Sequence, residues 1–200
     1  SGQSNMFFTV SKRHRPYGLM NEDEEIAAAN YPQVRMFTVK DDKSYTPQED
    51  VSGEWKVCSP ETVPDFSAVG YLFARDLNQA LKVPVGVILS AYGASTAEAW
   101  VPRDALASDP MLQPMLAKFD ARESYYKDHP GATDAGAPPE PETLNARPPR
   151  PARPGAVARP MRDPVENQHQ PTVLFNGMLK PLIPYAIRGA IWYQGESIVG

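Results

Sequence analysis

A chain of 200 residues is long enough to form one domain with a sizeable hydrophobic core. It is 42% hydrophobic and 22% charged, as globular proteins usually are, and its net charge of −4 gives no reason to expect a nucleic-acid partner. It contains no run of the roughly 20 apolar residues that a membrane span needs, so we expect no span. The single cysteine, Cys58, excludes an internal disulfide and a cysteine-based metal cluster; we interpret it as a packed small residue or half of a disulfide reaching outside the chain.

The first two predicted elements are a strand at residues 34–39 (VRMFTV) and a long helix at residues 66–81. The helix should end before the pair Val83-Pro84, because proline disfavours helical backbone in the residue that precedes it. The apolar residues of this helix recur at steps of three and four, which predicts one buried stripe. The stripe contains Phe66, Val69, Phe73, Leu77 and Ala80.

Two further apolar segments predict strands. Residues 85–91 (VGVILSA) and 187–193 (IRGAIWY) are the type of strand that is buried on both faces of a parallel sheet. Ser95 and Glu98 have the spacing of a capping box, which predicts a helix beginning at Ser95. Strand, turn and helix in succession predict an α/β domain of three layers with a mainly parallel sheet.

Residues 127–171 differ from the rest of the chain. They contain half of the 22 prolines and little apolar periodicity, so they cannot bury enough apolar surface to offset the entropy of ordering. We interpret them as a long surface excursion or partly disordered loop. A proline-rich ligand for a partner domain is the alternative.

Three segments follow predicted strands, or lie where one would end: residues 2–6, 92–95 and 192–196. Ligands of open parallel sheets bind beyond the carboxyl ends of the strands. The segments offer a hydroxyl, backbone N–H groups released by glycine, and side-chain amides, which are the groups that acyl transfer needs. None of them is decisive alone.

In combination, the motifs carry a family resemblance. Residues 1–6 (SGQSNM), 55–60 (WKVCSP), 66–71 (FSAVGY), 83–100 and 174–197 resemble the sialate O-acetylesterases, which belong to the SGNH hydrolase group. The resemblance extends over the chain except for the proline-rich excursion. It implies a three-layer, flavodoxin-like SGNH-hydrolase fold and removal of acetyl groups from sugar hydroxyls. It implies no metal or organic cofactor.

The resemblance also implies site roles. Ser4 matches the nucleophile, and the N–H groups of Ser4 and Gly93 with the Gln194 side chain match the donors of the oxyanion hole. Asn5 and Glu196 match residues that position the site. A serine hydroxyl needs a base to become a good nucleophile, and glycine lets the backbone approach the substrate oxygen without a Cβ in the way.

Simpler interpretations stand beside these roles. Ser4 is then a helix cap, Gly93 serves only the strand-to-helix turn, and Gln194 and Glu196 satisfy buried backbone groups.

The aromatic residues of these segments also have simple interpretations. Trp192 and Tyr193 are most simply core and rim aromatics. Trp100 either packs in the core or lines a sugar site.

The family's base is a histidine in an Asp-x-x-His segment, which this sequence lacks. His14, His129 and His169 have Ser11, Tyr126 and Glu166 three positions earlier. We therefore expect the base downstream, and interpret residues 1–200 as a partial catalytic domain truncated at both ends, with little turnover by itself. Ile198 in place of asparagine, and Ala94-Ser95 in place of glycine-threonine, depart from the family pattern.

The expected partner is an O-acetylated carbohydrate. Acetylated xylan or another plant glycan is an alternative to acetylated sialic acid as the substrate, and a non-catalytic carbohydrate-binding relative is an alternative to an enzyme. The resemblance also leads us to expect an exported protein, periplasmic or extracellular.

Overall fold

The computed structural model describes residues 1–13, 16–141 and 159–195. The chain divides into two compact units. The first contains Ser1–Asp41, Asp50–Ala94 and Leu182–Gln194, and the second contains the described residues of the remainder.

The sheet of the first unit has three named strands in the order β2-β1-β3. β1 (Tyr31–Thr38) is central; it pairs antiparallel with β2 (Trp55–Cys58) and parallel with β3 (Val85–Leu89). The α/β class is confirmed. The named strands form a mixed sheet, because β2 returns directly beside β1, and an adjacent return of this kind gives an antiparallel pair.

The long helix α2 (Ala68–Leu81) begins two residues later than predicted. Ser67 is its N-cap, and the Ser67 hydroxyl accepts a hydrogen bond from the Gly70 N–H at 3.0 Å. The helix ends at Lys82, whose backbone is left-handed (φ 56°). The predicted helix is therefore confirmed, and its start is set by the cap.

The predicted buried stripe is wrong within α2, although Phe66, which precedes the helix, is buried as expected. Val69 and Phe73 are exposed, whereas Ala68, Tyr71 and Ala74 are buried. Alanine at two positions of the buried face lets the helix backbone lie close to the sheet, and the core packs around Tyr71. The periodicity of the larger apolar residues indicated another side of the helix. The buried face was therefore decided by tertiary packing.

The two predicted buried strands are both less buried than expected. In β3 only Leu89 is buried and Gly86 is exposed. In residues 187–193, Ile187 and Trp192 are 60% and 48% exposed, and the segment is extended with one bridge, at Tyr193. Among the described residues its backbone pairs only with residues 1–3, which leaves it at the edge of the sheet.

The other helices are short or belong to the second unit. α1 (Glu22–Ala28) precedes β1, and α3 (Arg103–Ser108) and α4 (Gln113–Asp128) lie in the second unit. No helix in the described residues is long and apolar enough to cross a membrane. Single helical turns complete the described chain: Val63–Asp65, Glu98–Trp100, Asp134–Gly136, Pro164–Glu166, Phe175–Leu179 and Lys180–Leu182.

The helix predicted to begin at Ser95 is absent. Only the single 3₁₀ turn Glu98–Trp100 forms there, and the Ser95 hydroxyl accepts a hydrogen bond from the Trp100 indole N–H at 2.9 Å. The serine is therefore used to satisfy a buried tryptophan. Trp100 is 4% exposed, which supports core packing over a place in a sugar site.

The described flanks of the proline-rich region are packed. The Met161 N–H donates to the Ala132 carbonyl at 2.8 Å, and Met161 is buried. The buried guanidinium of Arg122 lies 2.8 Å from the Glu140 carboxylate. The middle of the predicted excursion, residues 142–158, lies outside the described residues.

The Asn176-Gly177 turn joins two segments of the second unit. The Asn176 side-chain amide donates to the carbonyls of Ser44 and Tyr45 at 3.1 and 3.0 Å. A Cβ on Gly177 would come within 2.7 Å of the Asp42 carbonyl oxygen, so only glycine allows this approach. Both motif residues hold the 42–45 segment in place.

Candidate active site

Three extended segments of the first unit run parallel at one edge of the sheet. Gly2 forms parallel bridges with both Ala91 and Tyr193. The Tyr92 N–H donates to the Gly2 carbonyl at 3.0 Å, and the Gln3 N–H donates to the Tyr193 carbonyl at 3.1 Å. Because the segments are parallel and in register here, the residues that follow them emerge together at the carboxyl ends of the segments.

The residues that follow are Ser4, Gly93 and Gln194. Gly2 makes the arrangement possible: its φ is +135°, and a Cβ there would lie 2.1 Å from the Tyr193 carbonyl oxygen. No other residue type fits this backbone.

Ser4 is exposed and lies in a turn after the first of these segments. Its carbonyl accepts a hydrogen bond from the Phe7 N–H at 3.1 Å, and its side chain caps no helix in the described chain. Ser4, Gly93 and Ala94 line one cavity of about 380 Å³. A larger cavity of about 570 Å³ contains none of the predicted site residues.

Two backbone donors at this cavity are unused. Neither the Ser4 N–H nor the Gly93 N–H donates a hydrogen bond to any described residue. Ser4 and Gly93 are both exposed, so these N–H groups are open to water or to a ligand beside the serine hydroxyl. A substrate oxygen that develops negative charge is a suitable acceptor.

At positions 93 and 94, the backbone that favours glycine is found at the alanine and not at the glycine. A Cβ on Gly93 would meet nothing within 4 Å, and its φ is not in the left-handed region, so the turn does not require glycine. Ala94 does have left-handed backbone (φ 55°), which glycine adopts more easily. Backbone conformation therefore does not explain the glycine at position 93.

Gln194 is joined to the segment that carries Ser4. Its side-chain Nε2 donates to Gln3 Oε1 at 3.0 Å, and Gln3 is 2% exposed. Gln194 is half-buried and is not among the residues that line the Ser4 cavity. Its role as an oxyanion donor stays a prediction.

The other predicted site residues are placed less fully. Asn5 is half-buried beside Ser4. Glu196 and His14 lie outside the described residues. The positioning roles of Asn5 and Glu196 stay predictions.

The two described histidines belong to the second unit. The His129 ring stacks on Tyr125, with Nδ1 3.0 Å from the Tyr125 carbonyl oxygen. His169 is half-buried, and this burial lowers its pKa despite the nearby carboxylates of Glu140 and Glu98. The described contacts of these two histidines assign neither of them a catalytic role.

Cys58 is buried and free, and burial raises the pKa of its thiol to about 11. A thiol with this pKa is a poor nucleophile near neutral pH, which supports the packing interpretation. Trp192 and Tyr193 are about half exposed, so Trp192 is not a core residue in the described structure. No cluster of three or more His, Cys, Asp or Glu residues that could hold a metal ion occurs in the described residues.

Sequence reasoning missed three residues that line the Ser4 cavity: Phe7, Tyr17 and Asp41. Asp41 had a usable signal: it follows β1, which is parallel to β3, and so belongs to the same edge of the sheet. Tyr17 had no such signal, because it comes from a loop far from any predicted strand end.

Comparison with known proteins points first to a class, the carbohydrate acetylesterases, which are carboxylic ester hydrolases. A crystal structure described as a novel carbohydrate acetylesterase from Xanthomonas citri is similar, with a TM-score of 0.63 and 27% identity; it covers 98% of this chain and 31% of the other. No family model matches the chain.

The curated relatives are more particular. Sialate O-acetylesterase from Mus musculus is 28% identical over 218 residues, covering 98% of this chain and 34% of the relative. The Homo sapiens sialate O-acetylesterase is 27% identical over 206 residues, covering 98% and 30%. The resemblance seen in the sequence is confirmed over nearly the whole chain. The chain spans about a third of the length of these relatives.

Proposed function

We propose that the protein containing this chain is a serine esterase that hydrolyses O-acetyl esters on carbohydrates. One observation carries the proposal. Exposed Ser4 and Gly93 line the same cavity, and the backbone N–H groups of both donate to no described residue. The names of the relatives support the same class of reaction.

We further propose the three-layer SGNH-hydrolase fold. The parallel bridges of Gly2 support it, because they extend the β2-β1-β3 order by two more parallel segments beyond β3. Ligands of such a sheet bind beyond the carboxyl ends of its parallel segments, and Ser4 follows the segment that contains Gly2.

In the first half of the proposed reaction, the Ser4 oxygen attacks the acetyl carbonyl carbon while a base takes the hydroxyl proton. The carbonyl π bond breaks, and the resulting oxyanion accepts hydrogen bonds from the N–H groups of Ser4 and Gly93 and from the Gln194 amide. The intermediate collapses, and the sugar oxygen leaves with the proton from the base. The proposed base is the histidine of an Asp-x-x-His segment, which the 200 residues do not contain.

In the second half, water attacks the acetyl group on Ser4 and gives its proton to the same base. The ester bond to Ser4 breaks, acetate leaves, and the Ser4 hydroxyl regains its proton. Asn5 and Glu196 are proposed to hold the surrounding groups in position.

The test uses the full-length protein, a fluorophosphonate that labels activated serines, and an aryl acetate. Ser4→Ala should abolish the adduct and lower kcat/KM by about 10⁴-fold or more. The control is Ser52→Ala, since Ser52 is exposed in the same unit and does not line the cavity. A wild-type protein without an adduct, or an adduct that survives Ser4→Ala, contradicts the proposal.

A further inference from the structure

The cavity beside Ser4 has an acidic wall. Asp41 lines it and is exposed. Among the described residues, its carboxylate makes no hydrogen bond and no ion pair. A carboxylate that no described side chain uses is available to accept hydrogen bonds from a ligand.

The fold holds Asp41 at the same edge as the serine. Just past β1, the Val39 N–H donates to the Leu89 carbonyl at 2.9 Å and so continues the parallel pairing with β3. The chain therefore leaves β1 at the carboxyl edge of the sheet, where Tyr92 and Gly93 also emerge. The position of Asp41 follows from this register.

The same cavity has an aromatic wall. Tyr17 lines it and is 43% exposed, and its ring stacks on Phe8 with 5.5 Å between centroids and 18° between planes. The stacking holds the ring in one orientation. An aromatic ring with an exposed face offers apolar contact to a flat ligand, and a phenol hydroxyl adds a polar edge.

The charge of the cavity is one-sided. No lysine or arginine in the described chain lines it, and Asp41 is the only residue with a charged side chain among the described residues that do. A ligand carboxylate held there meets like charge with no described cation to offset it. Like-charge placement of this kind is how binding sites reject wrong partners.

We infer that the Ser4 cavity takes an uncharged O-acetylated sugar in preference to an acetylated sugar acid. Asp41 accepts hydrogen bonds from free sugar hydroxyls, and the Tyr17 ring contacts the sugar face. The inference rests on the proposed function and narrows its substrate. It separates this chain from the activity named for its mammalian relatives, because sialic acid carries a carboxylate.

The test is binding to the full-length Ser4→Ala protein, which leaves the esters intact. The ligands are an O-acetylated methyl β-xylopyranoside and the O-acetylated methyl glycoside of sialic acid, measured by isothermal titration calorimetry. We expect the uncharged ligand to bind about tenfold more tightly or better. Adding Asp41→Asn should weaken binding of the uncharged sugar several-fold and strengthen binding of the acid.

The matched control is Asp42→Asn, which removes the same charge at the next residue, outside the cavity lining. It should leave the ratio of the two affinities unchanged. Equal or tighter binding of the sugar acid, an unchanged ratio in Asp41→Asn, or binding of neither ligand overturns the inference. Failure of the proposed function shows separately, as wild-type protein that releases no Ser4-dependent acetate from an aryl ester.

Discussion

Two motifs that carry the family resemblance have opposite physical uses. Ser4 and Gly93 line a cavity, and their backbone N–H groups have no partner among the described residues. At the Asn176-Gly177 turn, the amide donates to two carbonyls and the glycine is packed against backbone. A match to a family motif therefore does not by itself distinguish residues of a functional site from residues that stabilise the fold. An account of hydrogen bonds distinguishes them, because a site leaves groups open that a scaffold satisfies.

The largest of these three effects should come from a methyl group placed beside the Gly93 N–H. Gly93→Ala keeps the backbone N–H but adds a methyl group beside it, in the space proposed for the substrate oxygen. We expect kcat of the full-length protein to fall by up to about 10²-fold, the size of effect seen when an oxyanion donor is lost, while the unfolding free energy changes by less than about 0.5 kcal/mol. The alanine fits the backbone, but its methyl group occupies the cavity. Aryl acetate kinetics and urea unfolding measure the two quantities.

The control for this variant is Gly189→Ala. Position 189 also has open space around a Cβ and ordinary backbone, but it does not line the cavity. If both variants keep wild-type kcat, the substrate does not use the space beside Gly93, and the contrast with the second unit is lost.

The scaffold motif should respond in the opposite way. Asn176→Ala removes two part-buried hydrogen bonds and leaves the carbonyls of Ser44 and Tyr45 without that donor. We expect the free energy of unfolding to fall by about 2–3 kcal/mol. Urea unfolding of the chain measures this loss. Exposed Asn30, changed to alanine, should cost less than about 0.5 kcal/mol; a similar small cost at Asn176 would contradict the scaffold assignment.

The smallest expected effect tests whether the left-handed backbone at Ala94 is strained. Ala94→Gly relieves left-handed backbone worth about 1 kcal/mol, of which about 0.5 kcal/mol is lost to the greater freedom of glycine in the unfolded chain. A net gain of about 0.5 kcal/mol should raise the urea midpoint. Ala97→Gly, where the backbone is ordinary (φ −63°), should lower it. Destabilisation by both substitutions would show that position 94 is not strained.

Local sequence patterns were sufficient for the main elements of the first unit. Residues 34–39, 66–81 and 85–91 were predicted as strand, helix and strand, and β1, α2 and β3 lie within two or three residues of these bounds. Apolar periodicity, capping serine and proline act over a few residues, so a single sequence carries this information. The placement of Gly93 after a strand followed from the same order of elements, whereas the placement of Ser4 was implied by the family resemblance.

Burial and cavity walls were decided by tertiary structure. The face of α2 that packs, the exposure of residues 187–193, and the meeting of Tyr17 with Asp41 depend on pairs of residues far apart in the chain. Periodicity states that a helix has an apolar side, but the small residues at the contact decide which side can approach the sheet. Register likewise brings Asp41 to Ser4. A sequence read residue by residue contains no such distances, because they exist only after strands have paired.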